Sequence, residues 1–413
     1  MAKVEVEPEA GGQSQSTPRT ELVVGLPGLV DAEQVRAVAA QWSGGGHPIA
    51  VVHPCAPGMS GALETLGTSG DVRLVAREIT AIAGATAPWL GQPAVYAALL
   101  AEAESLGASA CVILNPDLAA FTPAAMDALV RPILANECDL AMPLYRAGRF
   151  DGLLNQAILA PVTRALYGKR VRYPLAQDFA VSAGFLPGLR QAVSTPAAGQ
   201  GLLWPATEAV LRDKQVCQVY LPVHHQYPST GMDLPTLLQQ IVAPLFADMD
   251  RNASLWQRVR GSHSTMESGI EPMLGETSAE TGTETSPDPR PMVEAFQLGQ
   301  RNLQEVWSLI LPPVTLLDLK KLSRQPLESF RMEDALWARV VYDFALAYRL
   351  RTLSRGHLLG AMAPLYLGWV GSRVLEVESV MSSVARQEQL ERVFEQNKPY
   401  LLQRWRWPDR FNP

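Results

Sequence analysis

The chain of 413 residues is short of cysteine, of charge and of long apolar runs, and each shortage narrows what it can be. Its four cysteines (Cys55, Cys111, Cys138 and Cys217) are widely scattered and form no Cys-x-x-Cys pair. Three of them sit inside apolar runs and read as buried free thiols, which suits a reducing compartment. No stretch approaches eighteen uninterrupted apolar residues, so no membrane span is expected. The nearest, residues 359–370, is too short and holds glycine and proline. Residues 1–20 lack the apolar segment of a signal peptide and read as a disordered lead-in. Charged residues make up 18%, with 35 Lys and Arg against 41 Asp and Glu, a net charge of −6. That balance gives no reason to expect nucleic acid as a partner. The combined expectation is a soluble, cytoplasmic protein. No internal repeat is present.

What the chain has is hydrophobic material, 47% of it, enough for two or three domains. From residue 21 to about residue 250, short apolar runs alternate with helical patterns. ELVVGLPG (residues 21–28), PIAVVHP (48–54), VRLVAREI (72–79), ACVILNPD (110–117), DLAMPLY (139–145) and VCQVYLPVHH (216–225) read as strands. Between the first two, Val35, Val38 and Trp42 fall on one helical face. A helix is expected from Pro93 to Leu106. Another opens with Thr122 as N-cap and Pro123 in the first turn, where a missing N–H costs nothing. Pro132 inside that pattern predicts a kink or an early end. A further helix is expected over residues 153–167. Strands alternating with helices predict an α/β fold with a largely parallel sheet covered on both faces.

Residues 261–291 break the alternation: they are rich in Ser, Thr, Gly, Pro and acidic residues, without Phe, Tyr or Trp. They read as an acidic low-complexity linker. Beyond them the chain looks helical to the end, with Leu336, Val340, Phe344 and Tyr348 at i, i+4 spacing as a stripe expected to pack on the first domain. The expected division is therefore residues 1–20, a nucleotide-binding α/β domain over 21–260, the linker over 261–291 and a helical region over 292–413.

In open parallel sheets, ligands bind beyond the carboxyl ends of the strands, and four features sit there. Asp117 in Asn115-Pro116-Asp117 ends the most apolar strand; it suits a hard cation such as Mg²⁺ or Mn²⁺, and equally a turn or cap. Asp178 in Pro174-Leu175-Ala176-Gln177-Asp178-Phe179 follows a basic run. It fits a sugar hydroxyl or an acceptor, or else a helix cap. In the basic run, Arg164, Lys169, Arg170 and Arg172 are candidate contacts for phosphate or an acidic acceptor, or a solvated helix end. His224-His225 closes the last strand, as a metal ligand with Asp117 or as a surface pair. Asp151-Gly152-Leu153-Leu154-Asn155-Gln156 opens a helix at a strand exit, as an acceptor site or a plain N-cap. His47, His53, His263 and His357 receive no role.

Residues 144–182, LYRAGRFDGLLNQAILAPVTRALYGKRVRYPLAQDFAVS, resemble the central block of GT-A glycosyltransferases of the mannosylglycerate synthase and glucosyl-3-phosphoglycerate synthase group. Phe150-Asp151-Gly152, Asn155, residues 161–168 and residues 174–179 stand where that group has its motifs. The order of the other pieces also matches. The resemblance implies a GT-A, Rossmann-like sheet and a retaining transfer of a hexose from a nucleotide diphosphate sugar to a small hydroxylated acceptor, acidic ones included, assisted by a divalent cation. It implies that Asn115 and Asp117 occupy the Asp-x-Asp position, that Asp117 and His225 hold the metal, and that Asp178 lies near the sugar and the reaction centre. Oligomeric state, including a homo-oligomer, is left open.

The sequence departs from the group at several points. Asn115 replaces the first Asp, and Ala176-Gln177 replaces Gly-Gly. PIAVVHPCAPG offers His53 and no carboxylate for base or ribose, Leu90-Gly91-Gln92-Pro93 has no lysine, and Leu202 stands where relatives are acidic. These losses support a second expectation, a catalytically degenerate GT-A-like protein acting as a binding or partner subunit.

Overall fold

The computed structural model describes residues 21–27, 32–43, 47–55, 68–69, 72–78, 93–114, 121–146, 150, 152–175, 178–194, 205–224, 233–269, 287–376 and 383–408. Strands lie at Leu22–Gly25 (β1), Ile49–Cys55 (β2), Thr68–Ser69 (β3), Val72–Glu78 (β4), Ala110–Ile113 (β5), Leu140–Arg146 (β6), Lys169–Arg170 (β7), Phe179–Ser182 (β8) and Val216–His224 (β9), and the six expected apolar runs account for β1, β2, β4, β5, β6 and β9. His263–Ser264 (β10) and Met266–Ser268 (β11) follow. Nine of these strands form one sheet in the order β11-β9-β6-β8-β5-β1-β2-β4-β3, and β7 pairs separately with β10. The large sheet is mostly parallel. The exceptions are β3 against β4, and β8, which runs antiparallel to both β5 and β6.

A strand covered on both faces must be apolar on both, and β1 shows why its sequence has no alternation. Leu22 and Val24 join one buried cluster, while Val23 joins the cluster on the opposite face. The helices of the α/β part are Ala32–Trp42 (α1), Pro93–Ser105 (α2), Pro123–Leu134 (α3), Ala160–Tyr167 (α4), Leu186–Ser194 (α5), Pro205–Leu211 (α6), Leu234–Arg251 (α7) and Ala253–Trp256 (α8). Trp42 from α1 and Leu129 from α3 fill the first cluster; Leu99 from α2 and Leu189 from α5 fill the second. The start of α3 is as the sequence predicts: the Thr122 hydroxyl accepts from the Ala125 N–H at 3.2 Å. The helix runs two residues past Pro132 before it ends at Leu134.

The helix expected over residues 153–167 contains a π-helical segment, Asn155–Leu159, that leads into α4. It stops at Gly168, whose φ of +68° is left-handed. A Cβ there would lie 2.8 Å from the Gly261 carbonyl oxygen, so this close turn into β7 needs glycine.

The C-terminal helices are Arg290–Asn302 (α9), Gln304–Ser308 (α10), Pro313–Leu322 (α11), Asp334–Leu350 (α12), Arg355–Leu375 (α13), Ser383–Gln396 (α14) and Lys398–Arg406 (α15). Leu336, Val340, Phe344 and Tyr348 of α12 are buried as expected. They share one core with Leu166 of α4 and Phe246 of α7. The Trp337 ring N–H donates to the Ala157 carbonyl at 2.8 Å and ties α12 to the π segment. Helices on either side of residue 260 thus share one core.

Two expectations change here. The start of the expected linker is structured: Met266–Ser268 adds as a parallel edge strand to β9, and His263–Ser264 pairs with β7. Edge pairing uses backbone groups, so an exposed polar segment can join a sheet without a hydrophobic signature. In addition, α13 is long and apolar enough to cross a membrane by length and composition, against the expectation of no such stretch. In the fold 78% of its apolar window is buried against protein, the position of a core helix.

Candidate functional site

The antiparallel strand β8 places the most informative carboxylate. Its neighbours β5 and β6 leave the sheet at the carboxyl edge, where ligands of open α/β sheets sit. A strand running the other way enters at that same edge. Phe179 pairs with Ile113, so Asp178 stands one residue further out, beside the exit of β5. Asp178 is only 4% exposed, and its Oδ2 accepts a 2.5 Å hydrogen bond from the Tyr145 hydroxyl on β6. A buried carboxylate needs such a donor, and a charged acceptor makes the bond short and strong.

Tyr145 also lines a cleft of about 330 Å³. One wall is α4 with the 170–173 segment, another is the β10–β11 edge, and the third is α14. Gln218, buried on β9, sets the first two walls together. Its Oε1 accepts from the Arg172 backbone N–H at 2.8 Å, and its Nε2 donates to the Arg170 carbonyl and the Thr265 hydroxyl. The Arg172 guanidinium lies over the Tyr220 ring and donates to its hydroxyl at 2.9 Å.

Arg164, expected as an anion contact, is 2% exposed and engaged within the protein. Its Nε donates to Glu395 at 3.0 Å and its Nη1 faces Glu391 at 3.4 Å, which locks α4 to α14. Burial pushes the Glu391 carboxyl up, against the opposing pull of Gln387 and Arg164. Burial acts the same way on Glu395, but hydrogen bonds from Ser262 and Arg164 outweigh it and hold that carboxyl below its ordinary range. The other end of α14 is fixed by Arg386, bidentate to Asp334 at 2.8 and 2.6 Å. Arg170 lines the cleft, gives its Nε–H to Ser262 at 3.2 Å, and has no ion pair among the described residues. Lys169 is half-buried on β7 and does not line the cleft.

Of the other predicted site residues, Asn115, Asp117, Asp151 and His225 lie outside the described residues. Their strands can be placed: β5 and β9 point the same way and end on one edge, with β8 and β6 between them. Three strand spacings put those ends roughly 14 Å apart. Among the described residues no three His, Cys, Asp or Glu side chains gather as a metal-binding group. His53, given no role from sequence, is 2% exposed near the end of β2, and its Nε2 has no hydrogen-bond partner among the described residues. Burial lowers its pKa.

Sequence reasoning missed the contribution of α14. Gln387, Glu388 and Glu391 line the cleft, and sequence reasoning assigned them no role. No spacing rule connects Glu395 with Arg164, which is 231 residues away along the chain. The π segment was also invisible, although its register directs Gln156 to the cleft. Such segments recur at functional sites.

No protein-family model and no curated protein matches the chain. Solved structures that resemble it include two of glucosyl-3-phosphoglycerate synthase from Mycobacterium tuberculosis. One, in complex with Mn²⁺, UDP-glucose and phosphoglyceric acid, is 21% identical, with a TM-score of 0.36. The other, with Mg²⁺ and UDP, is 18% identical, with the same TM-score. Each match covers 55% of this chain and 79% of the other.

Proposed function

We propose that the chain is a hexosyltransferase that moves a sugar from a nucleotide diphosphate donor to a small hydroxylated acceptor, retaining the anomeric configuration. The observation that carries this reading is the Tyr145–Asp178 pair: a buried carboxylate at the carboxyl edge of a mostly parallel sheet, hydrogen-bonded to a tyrosine that lines a polar cleft. The motif run over residues 144–182 supports it, since the same block supplies Tyr145, Arg170, Arg172 and Asp178. Asp178 would orient the donor sugar or the acceptor hydroxyl and stabilise positive charge as the glycosidic bond breaks. Asp117 and His225 are the residues assigned to a divalent cation, which would offset charge on the departing diphosphate. Four free, buried cysteines support a reducing, cytoplasmic setting.

The lost donor-side motifs favour the second reading, a GT-A-like binding or partner subunit that no longer turns over. One experiment separates the two. Thermal-shift titration of the full chain with GDP-, UDP- and ADP-sugars, with and without Mn²⁺, is followed by an assay for nucleotide release. A Mn²⁺-dependent shift lost in Asp117→Ala, with nucleotide release, supports the enzyme. A shift without release supports the binding subunit, and no shift with any nucleotide sinks the enzyme reading.

A further inference from the structure

The cleft beside Asp178 carries information about the acceptor. Its three arginines, Arg164, Arg170 and Arg172, are matched by three glutamates, Glu267, Glu388 and Glu391. Among the described residues the formal charge of the lining is zero, so these side chains give no net field to draw in a carboxylate or a phosphate. Two of the three cations are also in use: Arg164 is paired with Glu391 and Glu395, and Arg172 lies 3.8 Å from Glu267 while donating to Tyr220. An acidic ligand would have to displace these carboxylates and would face their repulsion. This arrangement runs against the sequence-based expectation that the basic run binds an acid.

A neutral polyol meets the same surface differently. Each sugar hydroxyl both donates and accepts, so neighbouring hydroxyls pair with a carboxylate on one side and a guanidinium or amide on the other. The cleft offers that alternation: Glu388 and Glu267 accept, Arg170 donates, and Gln156 and Gln387 do both. The Tyr145 and Tyr173 rings supply flat apolar surface for the C–H face of a pyranose. The volume of about 330 Å³ falls at the small end of ligand pockets, ~300–1,000 Å³.

We propose that this cleft is the acceptor subsite and that the acceptor is a neutral carbohydrate rather than an acid, with α14 supplying part of its specificity. The inference rests on the transferase reading for the word acceptor. Occupancy of the cleft by a sugar does not depend on that reading. Tyr145 connects the two sites, because it lines the cleft and holds Asp178, where an entering hydroxyl would be presented for transfer.

The test uses the nucleotide-free full chain and ligand-observed saturation-transfer NMR with maltose, trehalose and methyl α-glucoside. D-Glycerate and 3-phosphoglycerate serve as acidic probes. At least one neutral sugar is expected to bind, its Kd rising about tenfold when Glu388→Ala or Gln387→Ala removes one hydrogen-bonding group. The acids are expected neither to bind comparably nor to displace the sugar. Preferential binding of an acid, lost in Arg170→Ala, overturns the proposal. Silence from every probe, or sugar binding indifferent to both α14 variants, does so as well. Circular dichroism of each variant must match that of the parent chain. If sugars bind in the cleft while no nucleotide sugar binds anywhere, the donor reading falls and the carbohydrate site stands. If nucleotide sugars bind and the cleft ignores neutral sugars, the reverse holds.

Discussion

Tyr145 donates its phenolic hydrogen to Asp178 across the edge of the sheet, joining neighbouring antiparallel strands from positions 33 residues apart. The bond fixes the orientation of the Asp178 carboxylate. Asp178→Asn keeps an acceptor for Tyr145 but removes the charge, so nucleotide release from the donor sugar should fall about a hundredfold or more. Tyr145→Phe should cost less, about tenfold, by freeing the carboxylate to rotate. Steady-state kinetics with matched unfolding curves checks both, and an Asp178→Asn variant with parental kcat removes Asp178 from the mechanism.

Arg164 holds α14 against the rest of the fold through two glutamates. Arg164→Met leaves Glu391 buried without its cation, which should cost about 3–5 kcal/mol in denaturant unfolding. Adding Glu391→Gln should recover part of that loss, because the uncompensated charge goes with it. If the single variant unfolds like the parent, the network does not anchor the helix.

Asp248 supplies a pH dependence. It is buried beneath the Tyr167 hydroxyl, which donates to it at 2.6 Å, and burial raises its pKa from 3.8 to about 6. Folded Asp248 therefore keeps its proton up to about pH 6, whereas the unfolded chain releases it near 3.8. Over that window the folded state binds more protons, so this residue's contribution to stability falls as pH rises, by about 1.4 kcal/mol per unit at most. Below the window the contribution is fully present. Unfolding free energies at pH 4 and pH 6 should differ less in Asp248→Asn than in the parent, and equal slopes would rule out this assignment.

The packing of α9 on α13 turns on Gly299. A Cβ added there would lie 2.6 Å from the Pro364 Cβ, so the two helices would have to separate. Gly299→Ala should cost about 1–3 kcal/mol. Gly360, on α13 itself, has nothing within 4 Å of an added Cβ. Gly360→Ala should instead stabilise by up to about 1 kcal/mol through helix propensity. Thermal unfolding of the pair checks the signs, which must be opposite.

The sequence by itself determined the α/β alternation, the strands from ELVVGLPG to VCQVYLPVHH, and the apolar stripe of α12. These follow from local periodicity, and each element keeps its type when packed. It also singled out Asp178, because a carboxylate closing a motif run beside a strand is legible as a string. Only the tertiary structure decided which charges meet. Arg164 reads as an anion contact until Glu391 and Glu395 arrive from α14, and Glu388 has no role until its helix lines the cleft. The reason is physical. Hydrophobic period reports burial within one element, while the partner of a charge depends on where distant elements dock. The same limit hid the edge strand Met266–Ser268, whose pairing is made by backbone groups that every residue shares.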